Sequence, residues 1–126
     1  MKLKEISYIH SEAFPAGELK HGPLALVTAD TPTLAILMQE DVLEKTLSNV
    51  SEVKARQGDV FLVGFERDRK RLEDIGRWSF FVPDTLSLLA PLVGIPVLQL
   101  FAYYNAVLRG TDVDKPRNLA KSVTVE

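Results

Sequence analysis

The chain has 126 residues, with 15 Lys and Arg against 17 Asp and Glu for a net charge of −2 at pH 7. That length holds one domain with a single core and excludes a multidomain enzyme, while the interspersed charges give no basic field for a phosphate backbone, so no nucleic-acid partner is expected. The absence of cysteine excludes disulfides, thiolate metal sites and a cysteine nucleophile, and MKLKEISYIH has no apolar export core, so a cytoplasmic setting is expected.

Leu3, Ile6, Ile9, Ala13 and Phe14 recur at helical spacing before Pro15 and Gly17, which predicts an amphipathic helix over 1–14 with His10 on its buried side. Gly17 to Leu24 reads as a turn or helical loop punctuated by Gly22-Pro23, which would present His21 at a surface or cleft. Thr33 to Met38 is a short apolar run bounded by Pro32 and an acidic cluster, consistent with a buried strand. A helix should follow: Asp41 and Glu44 make a capping-box pattern, Val42, Leu43, Leu47, Val50 and Val53 form a stripe, and Lys54, Arg56 and Gly58 mark its stop.

Val60 to Phe65 reads as a second strand, Glu66 to Arg77 as a charged, solvated connector, and Trp78 to Val82 as a third strand. Leu88 to Arg109 predicts a last helix, kinked near Pro96. Leu86 to Leu98 is almost wholly apolar and approaches the length of a membrane span. Pro91, Gly94, Pro96, Gln99 and Asn105 oppose that reading and favour the buried central helix of a soluble domain, with no membrane partner. The order of strands and helices predicts an α/β fold with a parallel sheet. Three strands make a narrow sheet whose edge would seek a partner, and the chain reads as truncated.

After Arg109-Gly110 comes the polar tail TDVDKPRNLAKSVTVE. Asp112 and Asp114 are set to pair with Lys115 and Arg117, Pro116 fixes a turn, and Leu119, Val123 and Val125 remain as apolar anchors. Termini fray unless tied down; a tail of this composition is expected to dock.

Three segments, Lys2 to His10, Gly17 to Leu26 and the tail, resemble in this order the C-terminal end of the glucosamine-6-phosphate synthases, the isomerising glutamine:fructose-6-phosphate aminotransferase family. The resemblance runs from Lys2 to Glu126 and is looser from about Thr31 to Pro83. It implies part of a sugar isomerase (SIS) fold, a three-layer sandwich with a five-stranded parallel sheet between helices. Residues 1–110 would be the C-terminal portion of that domain and residues 111–126 an active-site tail, with the region before Lys2 supplying the first strands. The partners implied are a sugar phosphate (fructose 6-phosphate or glucosamine 6-phosphate), a second copy in a homodimer, and the remaining synthase domains; no cofactor is implied.

Lys2 and Glu5 are neighbours at i and i+3 on a helix. By spacing alone they make an ordinary ion pair. The resemblance implies instead that both face the sugar phosphate and that Glu5 moves a proton between the first two sugar carbons. His21, a loop residue that can titrate near neutrality, corresponds to the histidine that assists opening of the fructose ring from the neighbouring subunit. Lys121 stands between Ala120 and Ser122; most lysines are merely solvated, but one whose amine pKa is lowered can form a Schiff base with a ketone. The resemblance implies that role for Lys121 toward open-chain fructose 6-phosphate, with a main-chain contact near Ala120 holding the sugar. Arg117 and Asn118 are expected to fix the tail.

No GxGxxG, Walker loop or HExxH is present, and two histidines without a carboxylate cluster make a poor metal site. The function implied is the isomerase part of the synthase, with catalytic residues Glu5, His21, Lys121 and Lys2 and incomplete activity alone. The alternatives are a non-enzymatic SIS module that binds sugar phosphate and regulates a partner, and a purely structural piece that holds a dimer through its last helix.

Overall fold

The computed structural model describes residues 2–117. It has an α/β architecture with a three-stranded parallel sheet: β1 (Thr33–Leu37), β2 (Val60–Phe65) and β3 (Trp78–Val82), in the order β1-β2-β3. Thr33 pairs with Val60, and Phe61 with Trp78. The helices are α1 (Lys2–Ser7), α2 (Leu43–Ala55), α3 (Arg69–Leu72) and α4 (Ala90–Leu108), with short 3-10 turns between them. The chain divides into two compact units, one built from its two ends, through Ala13 and from Ile95 onward, and the other Phe14–Gly94.

In the second unit β2 is central and its residues are buried except for Phe61. One face of the sheet packs on α2: Leu37, Val60 and Leu62 join Leu43, Val50 and Val53 in a single cluster that also takes in Leu24 and Leu72. The other face carries Ile36, Trp78 and Phe80, all exposed. Parallel sheets usually have both faces covered; among the described residues this one is fully covered on one. α2 ends with Gln57 at a positive φ of 64° and with the N–H of Gly58 on the Val53 carbonyl, a left-handed C-terminal cap. Gly58 has no room for a side chain, since a Cβ there would sit 2.6 Å from Val53 and 2.7 Å from Val27.

Several expectations fail for local reasons. The capping box at Asp41 and Glu44 does not form: α2 starts after Val42, without a side-chain cap, because Glu40–Val42 make a separate 3-10 turn. Glu44 pairs instead with Arg71. The charged stretch after β2 is also more than a solvated connector. It contains α3, and Leu72, its one apolar residue between Phe65 and Ile75, is 0% exposed.

At the carboxyl ends of the strands, Arg67 gathers three loops. Its backbone N–H donates to Asp84, its guanidinium reaches the Thr85 carbonyl and lies over the Phe65 ring, and Glu40 and Asp68 stand within 4.0 Å. Ligands of open α/β sheets bind outside these strand ends; here that ground is held by a closed ion network. Beside it the Arg69 guanidinium donates to both oxygens of Glu66 at 2.5 and 2.7 Å.

In the first unit α1 packs on the small residues of the last helix. Ile6, Ala102 and Ala106 are buried together, with Leu3 and Val113 against them. α4 ends in a Schellman cap: Gly110 at φ 65°, its N–H on the Val107 carbonyl, and the Thr111 N–H on Ala106. The expectation that this helix is buried nearly all round is corrected. Ser87–Leu108 is long and apolar enough to cross a membrane by length and composition alone, but is mostly exposed, including Leu92, Leu100, Tyr104 and Leu108.

The first helix is also shorter than its apolar period predicts. Ser7 turns its hydroxyl back to the Leu3 carbonyl at 2.5 Å, Tyr8 takes a positive φ of 59°, and the helix closes there. Ala13 and Phe14 are consequently exposed, and so is His10, 3.7 Å from Glu12, contrary to its expected burial.

Leu72→Ala should destabilise the second unit by about 2–5 kcal/mol, the usual cost of truncating a buried leucine, measured by chemical denaturation. The Arg69 hydrogen bond holds the Glu66 carboxyl below its ordinary value, so its contribution is present above the usual carboxylate range and lost as pH falls through the lowered value. The stability difference between the native chain and Glu66→Gln should therefore shrink toward zero in acid, and a denaturation series against pH checks it.

Candidate functional site

α1 has only six residues, too few to be stable alone, so its place is set by Ile6 packing on Ala102 and Ala106. That packing turns Lys2 and Glu5 away from the core together. Lys2 Nζ lies 2.9 Å from Glu5 Oε2, with the lysine side chain 69% and the glutamate 21% exposed. The ion pair predicted by spacing is thus present, and such an exposed pair contributes about 0–1 kcal/mol. Its value to the chain lies in placing a carboxylate and an ammonium side by side on a fixed helix.

The described part of the tail is tied to the end of that helix. The Thr111 hydroxyl donates to the Ile6 carbonyl at 2.6 Å, a residue 105 positions away. Asp112 accepts the N–H groups of Asp114 and Lys115, both at 2.9 Å, an Asx turn. Arg117 then donates its backbone N–H to the Tyr8 hydroxyl at 2.8 Å and lays its guanidinium 4.2 Å from the centre of the Tyr8 ring. Among the described residues the aspartates of the tail form no ion pair with Lys115 or Arg117; Asp112 is engaged by backbone N–H groups instead, which corrects the expected charge pairing. Ala120 and Lys121 lie outside the described residues.

His21 stands in the other unit, at the end of a 3-10 turn, Ala16–His21, and before Gly22 at φ 143°. Leu24 is buried in the core and Leu19 packs against it, while Lys20 pairs with Glu52 of α2 at 2.6 Å. The anchors flank His21 and leave its imidazole exposed. The structure therefore brings Lys2 and Glu5 together and ties the root of the tail to the closing end of the same helix, while His21 belongs to the other unit. Sequence reasoning missed Thr111 and Tyr8, and read Asp112 as a charge partner rather than a turn acceptor. Asp112, four positions before a proline, carried a readable turn signal; nothing in the spacing marked Tyr8.

Comparison with known proteins adds a family and its relatives. The SIS domain family matches residues 1–65. Over its whole length the chain is 58% identical to the isomerizing glutamine–fructose-6-phosphate aminotransferase of Caldanaerobacter subterraneus subsp. tengcongensis, covering 21% of that protein. It is 55% identical to the enzyme of that name from Symbiobacterium thermophilum, again over its whole length and covering 20% of it. The chain thus spans about a fifth of the length of these relatives. A solved C-terminal domain of glucosamine-fructose-6-phosphate aminotransferase from Francisella tularensis matches with a TM-score of 0.84 and 45% identity, over 90% of this chain and 32% of that one.

Glu5→Gln removes the charge partner of Lys2 but no packing, so it should change folding stability by less than about 1 kcal/mol. Thermal denaturation of the two chains checks it, and a larger loss would mean that Glu5 is a structural residue.

Proposed function

The chain belongs to the SIS domain family, and from that premise we propose that it is the C-terminal part of the isomerase domain of a glutamine–fructose-6-phosphate aminotransferase. Its substrate is a sugar phosphate, and it works as one portion of a longer, soluble, cytoplasmic and homodimeric enzyme. The observation that carries this reading is the full-length match to enzymes of that name. The pairing of Lys2 with Glu5 on the helix whose closing end holds the root of the tail supports it.

In this reading the amine of Lys121 attacks C2 of open-chain fructose 6-phosphate, and loss of water leaves a Schiff base. Ammonia supplied by the rest of the enzyme displaces the lysine at C2. Glu5 then takes a proton from C1 and returns one to C2 while the proton of the C1 hydroxyl passes to the imine nitrogen, which turns a ketose imine into an aldose amine. His21, offered from the neighbouring subunit, exchanges the proton needed to open the sugar ring, a role open to an exposed imidazole. Lys2 holds the Glu5 carboxylate in place, and the main chain at Ala120 contacts the sugar. The domain boundary near residue 110 separates scaffold from tail.

The glutaminase of the full reaction needs a nucleophile that this cysteine-free chain does not have, so the chain alone should make no glucosamine 6-phosphate from glutamine. The half-reaction is accessible. Borohydride treatment of the 126-residue chain with fructose 6-phosphate, followed by peptide mass spectrometry, should give a reduced adduct at Lys121, abolished in Lys121→Arg. Labelling spread evenly over surface lysines would overturn the assignment of the nucleophile.

A further inference from the structure

The backbone of Tyr8 is held where glycine is the usual residue. Its φ is 59° and its N–H bonds the Lys4 carbonyl at 3.2 Å, which makes it the left-handed residue that closes α1. A bulky side chain is disfavoured there, and strain of this kind recurs where a side chain has work to do. Among the described residues, the hydrogen bond and the cation–π contact of the Tyr8 side chain both go to Arg117, 109 positions away: the hydroxyl accepts its backbone N–H and the ring receives its guanidinium.

We infer that Tyr8 is a positioning residue, a latch that fixes the root of the tail at the closing end of α1 and so governs delivery of the residues that follow Arg117. The inference rests on the reading above for the identity of the nucleophile, Lys121. Two fixed points define the root. Thr111 is held to the Ile6 carbonyl, Arg117 is held to Tyr8, and the Asp112 turn spans the interval. Both anchors sit at the closing end of α1, the helix that carries Glu5.

Lys121 follows Arg117 by four positions, and four residues extend at most about 14 Å. A closed latch therefore leaves Lys121 four positions from a fixed origin, and a shorter free segment samples fewer positions. With the latch open, the next fixed point is at Thr111, and the accessible volume grows with the longer free segment. Tyrosine supplies what neither half alone gives. Phenylalanine would keep the ring under the guanidinium and lose the acceptor; glycine would lose both while relieving the backbone.

That last substitution separates latch from fold, because Tyr8→Gly suits the left-handed position and should leave the melting temperature of the 126-residue chain unchanged or raised. Two rates read the latch. The first is trypsin cleavage after Arg117 under native conditions, which requires release of its side chain and N–H. Tyr8→Gly should accelerate it about tenfold, the scale expected when a local contact no longer opposes opening, with Tyr8→Phe in between and cleavage within Phe14–Gly94 unchanged. The second is borohydride capture of fructose 6-phosphate at Lys121, which should slow in the same order while labelling of other lysines stays constant. Wild-type rates of cleavage and capture in Tyr8→Gly would overturn the latch. If the native chain shows no capture at Lys121, the assignment of the nucleophile fails on its own, and the cleavage rate still decides whether Tyr8 holds the tail.

Discussion

The Thr111 hydroxyl on the Ile6 carbonyl joins segments 105 residues apart, and the first unit is organised around that junction. α1 is too short to persist by propensity; it exists because Leu3 and Ile6 find Ala102, Ala106 and Val113. Small residues one turn apart on α4 let α1 approach closely, and the Schellman cap at Gly110 reverses the chain so that Thr111 meets the end of the helix it supports. Helix, cap and tail root are one cooperative assembly. The position of the Lys2 and Glu5 pair is accordingly a consequence of packing at the far end of the sequence.

The second unit rests on a different constraint, the burial of β2 between two parallel neighbours with α2 against one face. This part was legible from residue order because strands and stripe alternate without ambiguity, and the three strands lie where their apolar runs predict. What escaped was decided by single residues. Ser7 bonding its own helix and Tyr8 at positive φ cut the first helix short and put His10 in solvent. Leu72 drew a charged segment onto the core. Glu44 had a choice between a helix cap and Arg71, and the tertiary partner prevailed. Period and composition do not register such competition between local and distant partners.

The site divides in the same way. Lys2 and Glu5 could be singled out because spacing places them together, and the resemblance supplied the chemistry that spacing alone cannot distinguish from a surface ion pair. The tail was read by its charges, yet Asp112 serves as a hydrogen-bond acceptor for two backbone N–H groups and Arg117 meets an aromatic ring. Exposed opposite charges gain little from pairing in water, so turn geometry and stacking settled the arrangement. A reading by turn chemistry would have found the first of these; the second depends on a fold that brings positions 8 and 117 together.

The supports differ in stiffness in a manner suited to the proposed reaction. A proton shuttled between adjacent carbons needs a base held within hydrogen-bond reach of both, and the proposed base, Glu5, is carried on a helix seated on buried alanines. Ring opening needs an exposed imidazole at a defined place, and the proposed group, His21, is presented by a short turn pinned by Leu24 and by the pairing of Lys20 with Glu52. A lysine nucleophile must approach a carbonyl carbon, bond to it and withdraw when ammonia takes its place. Such a group is better carried on a short tether than on a rigid element, provided the tether has a fixed origin. Thr111 and Tyr8 hold the root of the tail to α1, and in the proposed reading that fixed origin is the work done at the strained position of Tyr8.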